Sequence, residues 1–193
     1  MLQNQCILTL FAEQPNRPEL APHLVSRLGA FPMNKAKSLW DHSALLLGRW
    51  FGTGLSPKAP GTVGSVGALP LFFLLREVPW PAYWAVTLLV SGGGILVSER
   101  CAKLLGEKDP SSVVIDEVAG VMIALGMVRN APLWILALAW ILFRVLDITK
   151  PGLIDRAQHW PPNGVGIMVD DLLAGIFAGL LALGIYQAFL ALT

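Results

Sequence analysis

The sequence predicts an all-α protein, an integral-membrane bundle of about five main helices. Apolar residues make up 54% of the chain and charged residues 14%, against roughly 25% charged residues in ordinary soluble domains. The mean hydropathy is +0.60. Charged residues are confined to short segments between long uncharged stretches, which favours membrane helices over a soluble core. The net charge of +1 argues against a large basic surface for nucleic acid.

The uncharged stretches define the predicted helices. Only the second stretch, 78–98, and the fifth, 172–193, reach the ~20 residues that span a bilayer. The third and fourth, 118–128 and 130–143, are separated by RNAP and predict a tight helical hairpin. Asp109 followed by Pro110 predicts the N-cap and first turn of the third helix. The five predicted helices cover 62–76, 81–105, 110–128, 132–150 and 170–191.

The distribution of charge predicts an orientation. If all five helices cross the membrane, residues 1–61, 99–117 and 144–171 lie on one side, and they contain 12 of the 14 Lys and Arg. The positive-inside tendency makes that side cytoplasmic. Residues 1–37 lack the pattern of a signal peptide, and we expect them to form a mobile extension ahead of a single domain over 38–193.

Two acidic clusters precede similar stripes of small residues. In VVIDEVAG, Asp116 is followed at four-residue steps by Gly120 and Ala124, and in IMVDDLLAGIFAG, Asp171 is followed by Gly175 and Gly179. Small residues let helix backbones approach closely within lipid. The pattern therefore predicts that these two helices touch and bring their carboxylates together. Ordinary packing beside interfacial acids is the alternative.

A third charged group ends the fourth helix, in the segment FRVLDITKPG. Arg144, Asp147 and Lys150 recur every three residues and share one helix face, and Pro151 ends the helix. One interpretation is a self-neutralising cap at a membrane interface. The other is the cationic wall of a phosphate site, because Arg offers bidentate hydrogen bonds to phosphate oxygens and Lys a point charge.

Carboxylates crowded at a membrane face repel one another unless a cation or protons intervene. Mg²⁺ suits such a site, because it takes oxygen ligands, keeps several water ligands and commonly has a phosphate in its coordination shell. The candidate metal ligands are Asp116, Glu117, Asp147, Asp170 and Asp171.

A loop rich in glycine and proline precedes the first apolar helix. The segment FGTGLSPKAPGTVGS, residues 51–65, is predicted to be a rigid loop without regular structure. Thr62 lies near a helix N-terminus, where free N–H groups can receive phosphate, and Ser56 and Lys58 are further candidates for substrate binding. A turn that merely starts a membrane helix is the alternative.

Four motifs in order, GTGLSPKAPGTVGS, VIDEVAG, FRVLDITKPGLID and GVGIMVDDLLAG, resemble those of the phosphatidylglycerophosphatase A family. The resemblance covers about Ser38 to Leu190. It implies a Mg²⁺-dependent lipid phosphatase of the bacterial cytoplasmic (inner) membrane, which converts phosphatidylglycerophosphate in the bilayer to phosphatidylglycerol and phosphate in glycerophospholipid biosynthesis.

Under this interpretation, one carboxylate acts as general base or nucleophile, and the sequence does not choose among them. The candidates for catalysis are Asp116, Glu117, Asp147 and Asp171, and those for substrate binding are Ser56, Lys58, Thr62, Arg144 and Lys150.

Two alternatives of other classes use the same fold. A small cation transporter or channel would use the acidic residues as an ion path, but its acids should lie in mid-membrane rather than at helix ends beside Arg and Lys. A lipid-binding scaffold would not need intact acidic clusters. A CDP-alcohol phosphotransferase is a further enzyme alternative, but the sequence lacks the aspartate pattern of that class.

Overall fold

The structure is a computed structural model that describes residues 38–157 and 163–192, so the predicted extension over 1–37 lies outside the described residues. Within the two described ranges every regular element is a helix, which confirms the all-α class. The elements are α1 (Leu39–Gly48), a 3-10 helix (Trp50–Leu55), α2 (Pro60–Gly67), α3 (Leu69–Leu75), α4 (Trp80–Leu105), α5 (Ile115–Met127), α6 (Leu133–Thr149), α7 (Leu153–Ala157) and α8 (Asn163–Leu192).

The second and fourth predicted helices are confirmed as α4 and α6, each within one residue at both ends. Pro132 is the N-cap of α6, and the RNAP segment joins α5 to α6 as the predicted hairpin. At the other end of α6, Lys150 takes a left-handed conformation with φ of 41° and Pro151 follows it, so the helix stops where the sequence predicted.

The predicted rigid loop over 51–65 is wrong at both ends. It begins inside the 3-10 helix and ends inside α2, which starts at Pro60. Proline is compatible with the first turn of a helix because the N–H it lacks has no partner there. The first predicted helix, 62–76, is instead two helices, α2 and α3, with Pro70 in the first turn of α3.

The N-cap predicted at Asp109 and Pro110 is also wrong, because α5 begins at Ile115. Residues 110–114 form a turn in which Val113 donates to the carbonyl of Pro110 at 2.8 Å. Val114 then donates its N–H to the carbonyl of Gly48, also at 2.8 Å. This tertiary hydrogen bond satisfies a backbone group that a helix starting at 110 would have used internally.

Two further helices differ from the prediction. The last helix, predicted from 170, begins at Asn163, so the acidic pair Asp170 and Asp171 lies about two turns inside α8. The helix α1 was not predicted, although Ser38 and Asp41 form a reciprocal capping box at its N-terminus. That spacing, a serine followed three residues later by an acid, is a signal the sequence does carry.

Helix α5 lies at the centre of the fold. Ten of its 13 residues are buried, and α8, α6, α4 and α2 all pack against it. Tyr83 of α4 donates its hydroxyl hydrogen to the carbonyl of Met122 at 2.6 Å, while Phe143 of α6 is fully buried against Gly120. An apolar helix enclosed on every side is typical of a core element.

The predicted contact between the two small-residue stripes is confirmed. A Cβ added to Gly175 of α8 would overlap the backbone carbonyl of Gly120 of α5, and one added to Gly120 would lie 2.7 Å from the carbonyl of Asp171. Four residues further on, a Cβ on Gly179 would lie 3.1 Å from the carbonyl of Ala124. Helices α5 and α8 therefore pack backbone to backbone along the predicted faces.

In the described ranges, two helices are long and apolar enough to cross a membrane by length and composition alone, Trp80–Leu105 and Gly164–Leu192. Helices α5 and α6, with 13 and 17 residues, are shorter. Large apolar side chains are exposed on several helices, among them Leu88, Leu89, Leu96, Ile141, Val145, Leu180, Leu181 and Ile185.

Candidate active site

Three carboxylates meet at the end of the bundle where α5 begins. Asp116 and Glu117 lie in the first turn of α5 and Asp171 lies on α8, and one oxygen of each lies within 4.8 Å of the others. Asp116 and Asp171 are buried and Glu117 is half-buried. The backbone contact of Gly120 with Gly175, one turn further along, holds α5 and α8 close together beside these side chains. We call the three the acidic cluster.

The acidic cluster concentrates negative charge at short range. Asp116 Oδ1 accepts a hydrogen bond from the N–H of Glu117 at 3.0 Å, and the N-terminal end of a helix favours negative charge. Glu117 Oε2 is buried and has no hydrogen-bond partner in the described part of the chain. Three carboxylates this close require protons or a cation between them. Their all-oxygen donor set and the unpartnered oxygen fit Mg²⁺.

Arg144 connects the end of α6 to α2. Its Nη1 lies 2.5 Å from Asp147 Oδ2, and both side chains are 12% exposed. Its Nη2 donates to the hydroxyl of Thr62 at 3.4 Å, and Nε is buried without an acceptor among the described residues. Asp147 also lies close enough to interact with Asp171 of the acidic cluster. Arg144 is therefore held at the edge of the cluster with donor capacity left.

Lys150, at the end of α6, pairs with Asp170 of α8. The side chain of Asp170 is almost fully buried and that of Lys150 is 29% exposed. Burial opposes the ammonium charge, but the hydrogen bond and charge of Asp170, with Asp171 and Asp147 nearby, raise the pKa of Lys150 above its ordinary value. The pair with Asp170 therefore places a basic side chain beside the acidic cluster.

Gly61, which the sequence interpretation did not single out, brings the start of α2 onto the site. A Cβ at this position would overlap Glu117 Oε1 and lie 3.4 Å from Arg144 Nη2. The backbone of α2 thus touches both walls of the site, the acidic and the basic. The residue belongs to the motif APGT, but its role depends on contacts with α5 and α6, which local sequence does not reveal.

Two of the predicted substrate-binding residues, Ser56 and Lys58, are hydrogen-bonded to each other. The hydroxyl of Ser56 donates to the carbonyl of Lys58 at 2.9 Å, and Lys58 is exposed. Across residues 38–157 and 163–192 the structure records no bond from either side chain to the acidic cluster. Asp109, in the connection before α5, was not predicted as a site residue, but its charge acts on both Asp116 and Asp170.

Comparison with known proteins places the chain in a family. The sequence model of the family described as Phosphatidylglycerophosphatase A matches residues 46–186. The chain belongs to the phosphatidylglycerophosphatase A family. Membership makes it a phosphatase, as the four motifs predicted.

Curated relatives agree with this assignment. A phosphatidylglycerophosphatase A of Escherichia coli K12 is 40% identical over 141 residues, 70% of this chain and 80% of the relative. A phosphatidylglycerophosphatase A of Haemophilus influenzae is 37% identical over 149 residues, 76% of this chain and 90% of the relative. A Bacteroides thetaiotaomicron protein to which phosphatidylinositol-3-phosphatase activity is ascribed is 39% identical over 145 residues, 71% and 89% of the two chains. No solved structure matches the chain.

The four motifs that resemble the phosphatidylglycerophosphatase A family occupy neighbouring parts of the fold. The first supplies the start of α2, the second the first turn of α5, the third the end of α6, and the fourth the early part of α8. Each of these four segments contributes at least one side chain or backbone contact to the site described above.

Proposed function

We propose that this protein hydrolyses phosphatidylglycerophosphate to phosphatidylglycerol and phosphate in glycerophospholipid biosynthesis, and that it requires Mg²⁺. The observation that carries the proposal is the acidic cluster set against Arg144 and the start of α2 in a chain of this family. Two relatives, 40% and 37% identical, bear the name of that activity.

The metal would be held by Asp116, Glu117 and Asp171, whose oxygens converge, with Asp147 and Asp170 as neighbouring carboxylates. When bound, Mg²⁺ would supply positive charge to the phosphoryl oxygens and lower the pKa of a water ligand. The unpartnered Glu117 Oε2 supports this assignment, because a buried carboxylate oxygen without a partner is costly unless a ligand satisfies it.

The phosphate would be bound at the start of α2. Helix N-termini carry unpaired N–H groups that suit anions, and Arg144 lies against this end of α2 through Thr62. Arg144 Nε has no acceptor in the described structure, so the guanidinium group can donate to a substrate oxygen without losing Asp147. Lys150 contributes a second positive charge near Asp170. Together they would offset the negative charge of the phosphoryl group in the transition state.

Hydrolysis also needs a group that takes a proton from water, or a nucleophile that replaces water. A carboxylate of the acidic cluster can serve in either role. Asp147 is a further candidate, because it lies beside both Arg144 and Asp171.

The proposal includes a membrane setting, which the distribution of charge supports. The site lies where α4 and α6 end and α5 and α8 begin, and this is the end that the basic residues predict to be cytoplasmic. At the opposite end, Arg129 donates to the carbonyl of Val78 at 2.7 Å and Arg76 to that of Ala131 at 3.2 Å. Arg76 and Arg129, the two basic residues outside the predicted cytoplasmic side, are thus both hydrogen-bonded to backbone carbonyls.

The test is release of phosphate from phosphatidylglycerophosphate by the purified protein, with Mg²⁺ and with EDTA. We expect release with Mg²⁺, loss with EDTA and recovery when Mg²⁺ is added in excess. A rate that is unaffected by EDTA would refute the metal requirement. Phosphatidylinositol 3-phosphate should be assayed in parallel, because one relative is named for it, and a higher kcat/KM on that lipid would replace the proposed substrate.

A further inference from the structure

Helix α8 is held at its N-terminus by a side chain from another helix. Glu99 of α4 accepts the backbone N–H of Gly164 on its Oε2 at 2.8 Å. Its Oε1 pairs with Lys103 Nζ at 2.9 Å, one turn further along α4. The carboxylate therefore makes an exposed ion pair within α4 through one oxygen and bonds α8 with the other. A negative charge in this position also favours the positive end of the α8 macrodipole.

The helices are in backbone contact at the same place. A Cβ added to Gly164 would overlap the carbonyl of Ile95 and lie 2.8 Å from Glu99 Cβ. Further into both helices, a Cβ added to Gly94 would lie 2.7 Å from the side chain of Met168. The hydrogen bond that Gly164 donates to Glu99 therefore joins α8 to α4 where the two helices are in close contact.

The start of α8 determines the position of its acidic residues. Asp170 and Asp171 follow Gly164 by six and seven residues, or about 9–11 Å along the helix axis. The opposing acids, Asp116 and Glu117, are placed by α5. A shift of α8 by a fraction of a turn would therefore separate Asp171 from the other two carboxylates of the acidic cluster.

We infer that Glu99 is a positioning residue for the acidic cluster: by capping α8 from α4, it sets the axial position of Asp171 against Asp116 and Glu117. This inference rests on the proposed function where it concerns metal binding. Glu99 itself touches no substrate. Groups that hydrogen-bond a metal ligand directly change metal affinity by roughly 10- to 100-fold when they are removed. Glu99 acts through the helix instead of through a ligand, so we expect an effect at the lower end of that range.

The experiment compares Glu99→Ala, Glu99→Gln and Lys103→Gln in the full-length protein. Glu99→Gln keeps an acceptor for Gly164 without the charge, and Lys103→Gln removes the ion pair but keeps the cap. The first readout is amide hydrogen exchange of peptides that cover 163–171, which does not depend on any activity. The second is binding of Mn²⁺, as a probe for a divalent cation, followed by the paramagnetic signal of the free ion.

For Glu99→Ala we expect exchange at the start of α8 to be several-fold faster and Mn²⁺ affinity to fall about tenfold. Glu99→Gln should fall between Glu99→Ala and wild type, and Lys103→Gln should resemble wild type. Wild-type exchange in folded Glu99→Ala would overturn the inference, as would faster exchange with unchanged Mn²⁺ affinity. If Glu99→Ala does not fold, Glu99→Gln decides by the same two readouts.

The two proposals fail in different ways. A wild-type protein that binds no Mn²⁺ and releases no phosphate would contradict the proposed function, and the exchange result alone would then decide whether Glu99 caps α8. A wild-type protein that does both, with a Glu99→Ala variant identical to it, would contradict only the role of Glu99.

Discussion

At the scale of single residues, the site consists of acids and bases that are matched unequally. Asp147 forms an ion pair with Arg144, and Asp170 forms one with Lys150. For the three carboxylates of the acidic cluster, the structure records no ion pair among the described residues. Negative charge that is left uncompensated in a buried place is costly. This imbalance is the physical reason to expect a cation there.

The first residue-scale prediction tests the acidic cluster. Asp116→Asn and Asp171→Asn keep the shape of the side chain but remove one negative charge each, so both should reduce kcat/KM by orders of magnitude. Glu77→Gln is the matched control, because Glu77 is 90% exposed and lies at the opposite end of the bundle. Near-wild-type rates in both aspartate variants would refute the site.

A second prediction compares conservative substitutions of the two basic residues, Arg144 and Lys150. Lysine cannot reproduce the planar fork by which Arg144 reaches Asp147 and Thr62, so Arg144→Lys should cost about 2–3 kcal/mol of transition-state stabilisation. That corresponds to about a 30- to 150-fold loss in kcat/KM. Lys150→Arg should be milder, because a point charge tolerates exchange. Protein levels are measured alongside, and equal, small losses at both positions would indicate an interfacial cap.

At the scale of helices, the four-residue steps of small residues predicted the backbone contact between α5 and α8. Periodicity is a local property, so the facing of α5 and α8 could be predicted from sequence. The contact of Gly61 with Glu117 and Arg144 could not, because it joins residues that are 56 and 83 positions apart and depends on where α2 begins. The same limit explains the wrong start of α5, which a hydrogen bond between Val114 and Gly48 determines.

The helix-scale prediction compares two glycines of α8. Glycine to alanine normally stabilises a helix by about 0.5–1 kcal/mol. Gly184→Ala should follow this rule, because an added Cβ would meet nothing within 4 Å. Gly175→Ala should instead destabilise the protein by about 1–3 kcal/mol, because its Cβ would overlap the carbonyl of Gly120. Thermal unfolding in detergent measures both, and equal shifts of Tm would contradict the close packing.

At the scale of the whole molecule, the charged site residues of α5, α6 and α8 meet on one face, and the orientation of that face can be tested. Reporter tags at Leu2 and Gly106 should indicate the cytoplasm, and a tag at Thr193 the outside, because 12 of the 14 basic residues are predicted to lie on the cytoplasmic side. Three tags that report the same side would rule out five crossings.

In the proposed membrane setting, the length of α6 has a consequence for the surrounding lipid. Its 17 residues span about 25 Å along the helix axis. Its surface exposes the apolar side chains of Leu133, Ile141, Val145 and Ile148. The hydrocarbon core of a typical bilayer is about 30 Å thick. A shorter apolar helix thins the bilayer around it, and the free-energy cost increases with each ångström of mismatch between helix and bilayer. The acyl-chain length of the host lipid should therefore affect the activity of the enzyme. We expect higher kcat/KM in vesicles of short-chain phosphatidylcholine than in long-chain ones, and no dependence on chain length would show that the bilayer does not meet α6 along its length.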